Sequence, residues 1–187
     1  FYRFEGNAQS LRIVSKLHDF KGEFDGLDLT AATLNTILKY TYPSSHKKTE
    51  EITSKKVGYF FAEEEAFKTV TEITGAGTSR HPLTFILEAA DDIAYLVADM
   101  EDAIGKGVIS FRDVREFLIE NLSTDVYNAP HSVHTREVLT TIDEKVFSVN
   151  RFFVDLRDKL IDGARHNFVN HYDEIMAGTF NQDLFKN

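Results

Sequence analysis

Apolar residues recur along most of this chain at intervals of three and four, the spacing of one face of an α-helix. From Glu5 to about Leu17 the stripe is Leu11, Ile13, Val14 and Leu17. Gly22 and Gly26 then mark a loop. Thr30 reads as the N-cap of a helix carrying Leu34, Ile37 and Leu38, which ends near Tyr40 because Tyr42-Pro43 disfavours helix. Residues 43–62 break the periodicity, although Val57 to Phe61 could be one short extended piece. Glu63 to Thr74 is a short helix with Phe67, Val70 and Ile73 inside. Residues 75–80 form a joint around Gly75 and Gly77.

His81 to Gly105 is the richest segment. Pro82 suits a first helical turn, and Leu83, Ile86, Leu87, Ala90, Ala94, Val97 and Ile104 predict a broad apolar face over about 37 Å. Gly105 and Gly107 end it. Ser110-Phe111-Arg112-Asp113 resembles a capping box, with Asp in place of Glu, and opens a helix through Leu122. A last long stretch runs from about His134 to Met176, with Val138, Leu139, Ile142, Val146, Phe153, Leu156, Leu160, Phe168 and Tyr172 inward and Gly178 as its stop. The expected fold class is all-α. The three prolines, Pro43, Pro82 and Pro130, all fall where the pattern breaks.

Composition narrows the function. With no cysteine, a disulfide scaffold, an iron–sulfur centre, a thiolate zinc site and a Cys nucleophile are excluded. A formal charge of −9 argues against a general binder of phosphate backbones. No run of about 18 apolar residues exists, so no membrane span is expected, and no signal peptide is read at Phe1-Tyr2-Arg3-Phe4. The expected location is the cytoplasm.

The chemical signal lies in Glu88-Ala89-Ala90-Asp91-Asp92-Ile93-Ala94-Tyr95. Carboxylates are costly to bury unless paired, hydrogen-bonded or bound to metal. Asp91, Tyr95 and Asp99 are spaced i, i+4, i+8 and share one helix face. Such a row can hold a divalent metal, a phosphate oxygen and a sugar hydroxyl. Ala89, Ala90, Ala94 and Ala98 would let a ligand or another helix approach. Acids on a helix also commonly line a solvated face, so both readings stand at this point.

The histidines offer less. His131 and His134 precede the last helix, His166 and His171 diverge by about 140°, and His18-Asp19 reads as a helix C-terminus and a loop residue. Neither a Walker phosphate loop nor a nucleophile elbow is present. Lys47, Lys48, Lys55 and Lys56 make a basic loop, most simply a solvated one.

Phe4-Glu5-Gly6-Asn7-Ala8-Gln9 resembles the FEGNAQ signature of bacterial deoxyguanosinetriphosphate triphosphohydrolases. Arg80-His81-Pro82-Leu83 with Glu88 to Tyr95 resembles that family's RHPL and EAADDIAY blocks, and Asp99 to Ile104 continues them. Gly26 to Thr30, Lys56 to Phe60 and Ile175 to Phe180 are similar as well. The resemblance implies an HD-domain-like helical bundle whose metal is held by a His, a His-Asp pair and a later Asp. It makes Asp91 that later Asp. It makes Tyr95 and Asp99 substrate-facing, with Asp99 near the deoxyribose 3′-hydroxyl. Arg151, or Lys159, would meet phosphate, unless the cation is paired within its helix. Glu5 and Asn7 would support the pocket.

The family's first His ligand, His-Asp pair and catalytic His normally precede FEGNAQ, which starts at the fourth residue here. The chain is therefore expected to be an internal piece, residues 1–187 forming the central and later part of the catalytic domain, with 43–62 and 75–80 as loops. It would lack the N-terminal ligand helices and be inactive alone, its catalytic residues lying upstream of Phe1. The implied reaction is hydrolysis of dGTP, or of dNTPs, to a deoxynucleoside and tripolyphosphate, with Mg or Mn as the divalent metal. Implied partners are a homo-oligomer, a hexamer among the options, and single-stranded DNA or a dNTP effector. The alternatives are a non-catalytic helical regulatory or scaffold module, and a phosphohydrolase of the same superfamily acting on another nucleotide.

Overall fold

The computed structural model describes residues 4–18, 22, 26–46, 49–121 and 149–185. Seven α-helices are seen among them: α1 (Gly6–Arg12), α2 (Ala31–Thr36), α3 (Glu64–Thr74), α4 (Pro82–Gly105), α5 (Phe111–Asn121), α6 (Val149–Asn170) and α7 (Tyr172–Met176). A π-helical turn (Ile13–Leu17) continues α1, and a 3₁₀ turn (Phe61–Glu63) leads into α3. The described residues contain no strand, and the extended piece around Tyr59 is reduced to one parallel bridge with Pro43. The all-α expectation holds.

The chain divides into two compact units, Phe1–Ala90 with Ala164–Asn187, and Asp91–Gly163. The first unit has two apolar clusters. In one, Leu11, Leu38, Tyr59, Phe67 and Val70 pack together, and the rings of Tyr59 and Phe67 stack 4.2 Å apart. In the other, Ile52, Phe85, Ala89, Ala164, Ile175, Phe180 and Leu184 join, with Phe85 meeting Phe180 edge-on at 5.5 Å. Each buried Leu, Ile, Val or Phe side chain among them contributes about 1.5–3 kcal/mol. The loop is tied to the chain end by Ile52 N–H, which donates to Asn181 Oδ1 at 2.8 Å. In the second unit Phe152 meets Phe111 at 5.1 Å and Phe153 at 5.2 Å, and Arg157 pairs with Glu101 at 2.8 Å.

Local chemistry explains the element ends. Val14 C=O accepts from Leu27 N–H at 2.8 Å, and His18 N–H bonds Ile13 C=O at 2.9 Å instead. That one-residue shift is the π-helical turn. It needs Gly26, with φ +71°, because a Cβ there would lie 2.5 Å from Val14 O. Thr30 caps α2 through Thr33 N–H at 3.2 Å. Ser110 and Asp113 form the reciprocal box, each side chain accepting from the other's N–H at 3.1 Å. Ser110, acting through its hydroxyl and then its N–H, holds the Asp113 carboxyl below its usual range.

Several expectations are corrected. α2 stops at Thr36, not near Tyr40, because tertiary partners claim the following backbone: Lys39 C=O accepts from Arg80, and Thr41 N–H donates to Thr53 C=O. Ile73 is exposed, since the inward stripe of α3 is Phe67, Val70 and Thr71. Ile13 and Leu17 are exposed as well. On α4 the buried stripe is Phe85, Ala89, Ile93 and Val97, spaced by four. Leu83, Ile86, Leu87, Ala90 and Ala94 lie off it and are exposed. The last helix is broken at His171 between α6 and α7, and Tyr172 is exposed. The part of that helix expected before Val149 lies outside the described residues, as do Pro130, His131 and His134.

Candidate functional site

α4 carries the acidic face. Its first turn is set by Pro82, and His81 caps it through Leu83 N–H, which donates to Nδ1 at 3.3 Å. Burial lowers the His81 pKa, which keeps that nitrogen free to accept. Nine residues on from Pro82 comes Asp91, followed one and two turns later by Tyr95 and Asp99. All three side chains are exposed, as is Asp92, and Tyr95 retains 67% of its surface. The structure thus brings the triplet to one helix face but does not bury it. The buried stripe runs along Ile93 and Val97 instead.

The other candidates have local partners. Arg151 pairs with Asp155 one turn along α6, at 3.1 Å, and is largely exposed. Glu5 caps α1, accepting from Asn7 N–H at 3.3 Å and Asn7 Nδ2 at 2.8 Å. Glu5 and Asn7 therefore support each other and the first turn of α1. Among the described residues no group of three or more His, Asp or Glu side chains could hold a metal ion. Asp91 alone offers a carboxylate of the right chemistry for one position of a Mg or Mn shell, too few donors to hold an ion.

The basic loop is partly described. Tyr42, Pro43, Ser44, His46, Ser54, Lys56 and Val57 line a small hollow, with the His46 ring stacked on Tyr42 at 4.1 Å. Lys56 Nζ stands 5.9 Å from the Tyr40 ring. Lys47 and Lys48 lie outside the described residues.

Two buried charges were missed by sequence reasoning as roles of their own. Arg80, of the RHPL block, has a side chain 1% exposed. Its Nε donates to Lys39 C=O at 2.7 Å, its Nη1 pairs with Glu88 Oε2, and its Nη2 reaches Ile52 C=O and Glu88 Oε1, each at 3.4 Å. The guanidinium also faces the rings of Tyr40 and Phe85 at 5.7 and 5.6 Å. Glu63 is the second, wholly buried, with Arg12 and Lys16 each 3.7 Å from Oε1. The available signal was a charge set among apolar neighbours: Glu88 lies one residue before buried Ala89, and Glu63 follows Phe60, Phe61 and Ala62.

No family model matches the chain. Among curated proteins it is similar to the deoxyguanosinetriphosphate triphosphohydrolase-like protein of Listeria monocytogenes, 42% identical over 192 residues, which covers 98% of this chain and 40% of that protein. It is also similar to the deoxyguanosinetriphosphate triphosphohydrolase of Yersinia enterocolitica, 33% identical over 196 residues, covering 98% and 37%. The probable deoxyguanosinetriphosphate triphosphohydrolase of Pseudomonas aeruginosa is 30% identical over 207 residues, covering 98% and 40%. The chain spans about two fifths of the length of the curated relatives it matches. Over nearly its whole length, the chain is homologous to one segment of the deoxyguanosinetriphosphate triphosphohydrolases.

Proposed function

We propose that a protein containing this chain hydrolyses a deoxynucleoside triphosphate, with dGTP as the first substrate to test. The observation that carries the reading is the homology over 98% of the chain to proteins named for that activity. The exposed row Asp91, Tyr95 and Asp99 supports it, because a carboxylate, a phenol and a second carboxylate on successive turns suit a divalent metal, a phosphate oxygen and a sugar hydroxyl. In the reaction, water oxygen bonds to the α-phosphorus and the bond from that phosphorus to the 5′-oxygen breaks. The water's proton is lost to solvent or base, and a general acid protonates the 5′-oxygen. The products are the deoxynucleoside and inorganic tripolyphosphate.

A divalent cation, Mg or Mn, belongs to this proposal, and when bound it would polarise the α-phosphoryl group. Asp91 is the residue of this chain assigned to it. Tyr95 is assigned to the sugar, Asp99 to the 3′-hydroxyl, and Arg151 to phosphate in exchange for Asp155. That exchange is easy, since an exposed pair of this kind is worth only about 0.3–0.5 kcal/mol. The lack of a three-residue ligand set among the described residues favours one second reading, a helical module without chemistry of its own.

The test uses the full-length protein with dGTP, each other dNTP and each NTP, and separates tripolyphosphate from monophosphate and pyrophosphate. Tripolyphosphate release that is lost in Asp91→Ala supports the proposal. No tripolyphosphate from the wild type sinks it in favour of the module. Unchanged turnover in Asp91→Ala removes Asp91 from the site.

A further inference from the structure

We infer that Arg80 and Glu88 are positioning residues for the acidic face of α4, an inference that rests on the proposed hydrolase site. Glu88 stands three residues before Asp91 on the same helix, nearly one turn away. It is held by the Arg80 guanidinium through Nη1 and, at 3.4 Å, through Nη2. Arg80 is anchored in turn by three features outside α4: Lys39 C=O, Ile52 C=O and the Tyr40 ring. Arg80, Glu88 and these anchors belong to one compact unit, and Asp91 follows Glu88 on the same uninterrupted helix. The loop after α2 and the loop around Ile52 therefore grip α4 at Glu88 through one side chain.

The grip is specific to a guanidinium. Its planar fork serves the carboxylate and the two carbonyls at once, which a single ammonium cannot do. The apolar contacts of Phe85 and Ala89 fix which side of α4 faces inward. The ion pair adds the directional restraint. Because a helix transmits axial displacement stiffly over one or two turns, movement at Glu88 appears at Asp91 and Tyr95. A shift of about 1 Å at a reacting group costs on the order of 100-fold in rate.

The experiment compares Arg80→Lys and Glu88→Gln with the wild type and with Lys68→Ala, an exposed control from the Glu64–Lys68 pair. All use the full-length protein. Hydrogen exchange of the α4 amides and steady-state kinetics with dGTP are read together with the melting temperature. The expected result is a tenfold or larger gain in exchange across residues 88–95, with kcat down at least tenfold and KM within twofold, in both variants and not in the control. Glu88→Asp should recover part of kcat. A lower melting temperature with exchange at 88–95 and kcat both unchanged overturns the inference, because the pair is then merely structural. If the wild type releases no tripolyphosphate, the hydrolase reading fails, and exchange alone decides whether the pair anchors α4.

Discussion

Arg80 and Glu88 face each other across the start of α4 as an almost fully buried ion pair, with side chains 1% and 15% exposed. Two backbone carbonyls and two aromatic rings surround the same guanidinium. Every donor direction that would otherwise have faced water is thereby satisfied or covered. Removing one partner leaves an uncompensated charge in that environment. Glu88→Ala or Arg80→Ala should therefore lower folding stability by about 3–5 kcal/mol. The pair energy should show as strong non-additivity in the double variant. Urea denaturation of the four proteins measures both. Single losses under about 1 kcal/mol would mean that water reaches the site in solution.

His81 gives a prediction about pH. Its Nδ1 accepts the Leu83 N–H, and burial lowers its pKa from the usual 6.5. The unfolded chain then takes up a proton at higher pH than the folded chain does. Stability is fully present above about pH 6.5 and falls as pH drops from there through the lower, folded value. Asn at this position keeps an acceptor that does not titrate. Between pH 8 and pH 5 the wild type should lose more stability than His81→Asn. Parallel pH profiles in chemical denaturation would show that the imidazole titrates alike in the folded and unfolded chains.

Gly58 and Gly75 look alike in the sequence and should behave differently. A Cβ on Gly58 would lie 2.0 Å from Tyr40 O and 2.5 Å from Tyr40 C, both backbone atoms that cannot swing aside. Gly75 ends α3 with φ +72° and has nothing within 4 Å of such a Cβ. Gly58→Ala should cost at or above the upper end of the about 1–3 kcal/mol typical of overpacking. Gly75→Ala should cost only the left-handed backbone strain, about 1–2 kcal/mol. Thermal or urea midpoints of the two variants rank them directly. A reversed order would contradict the close approach of the Gly58 segment to Tyr40.

Much of the fold was legible because its signals are local. Thr30, Pro82 and the Ser110–Asp113 box announce helix starts by bonds made within three residues. What the sequence hid depends on distant partners. The early end of α2 follows from Arg80, some forty positions on, taking Lys39 C=O. The inward face of α4 was misjudged because Leu83, Ile86 and Leu87 are as apolar as Phe85 and Ala89, and only tertiary packing decides between two adjacent stripes. At the candidate site the spacing of Asp91, Tyr95 and Asp99 correctly gives a shared face. Their exposure was not legible, since it depends on what packs against α4. Arg80 and Glu88 were visible as part of a motif, yet their pairing across a turn and a helix start is a three-dimensional fact.

Asp99 should report on the sugar. It sits two turns beyond Asp91 on the exposed face, with Tyr95 between them. A carboxylate is an acceptor only, so its natural partner on a deoxyribose is the hydroxyl that remains, the 3′-OH. In the full-length protein Asp99→Asn keeps size and one acceptor but removes the charge, which weakens a charge-assisted bond by about half. The expected effect is a rise in KM for dGTP and a smaller preference for dGTP over 2′,3′-dideoxy-GTP. The kcat/KM ratio between those two nucleotides should fall about tenfold, the ratio that corresponds to roughly 1.4 kcal/mol. If Asp99→Asn discriminates against the dideoxy nucleotide as strongly as the wild type, the 3′-hydroxyl is read elsewhere. Asp99 would then be a solvated acid of the α4 surface, like its neighbour Asp102 with Lys106 at 2.8 Å.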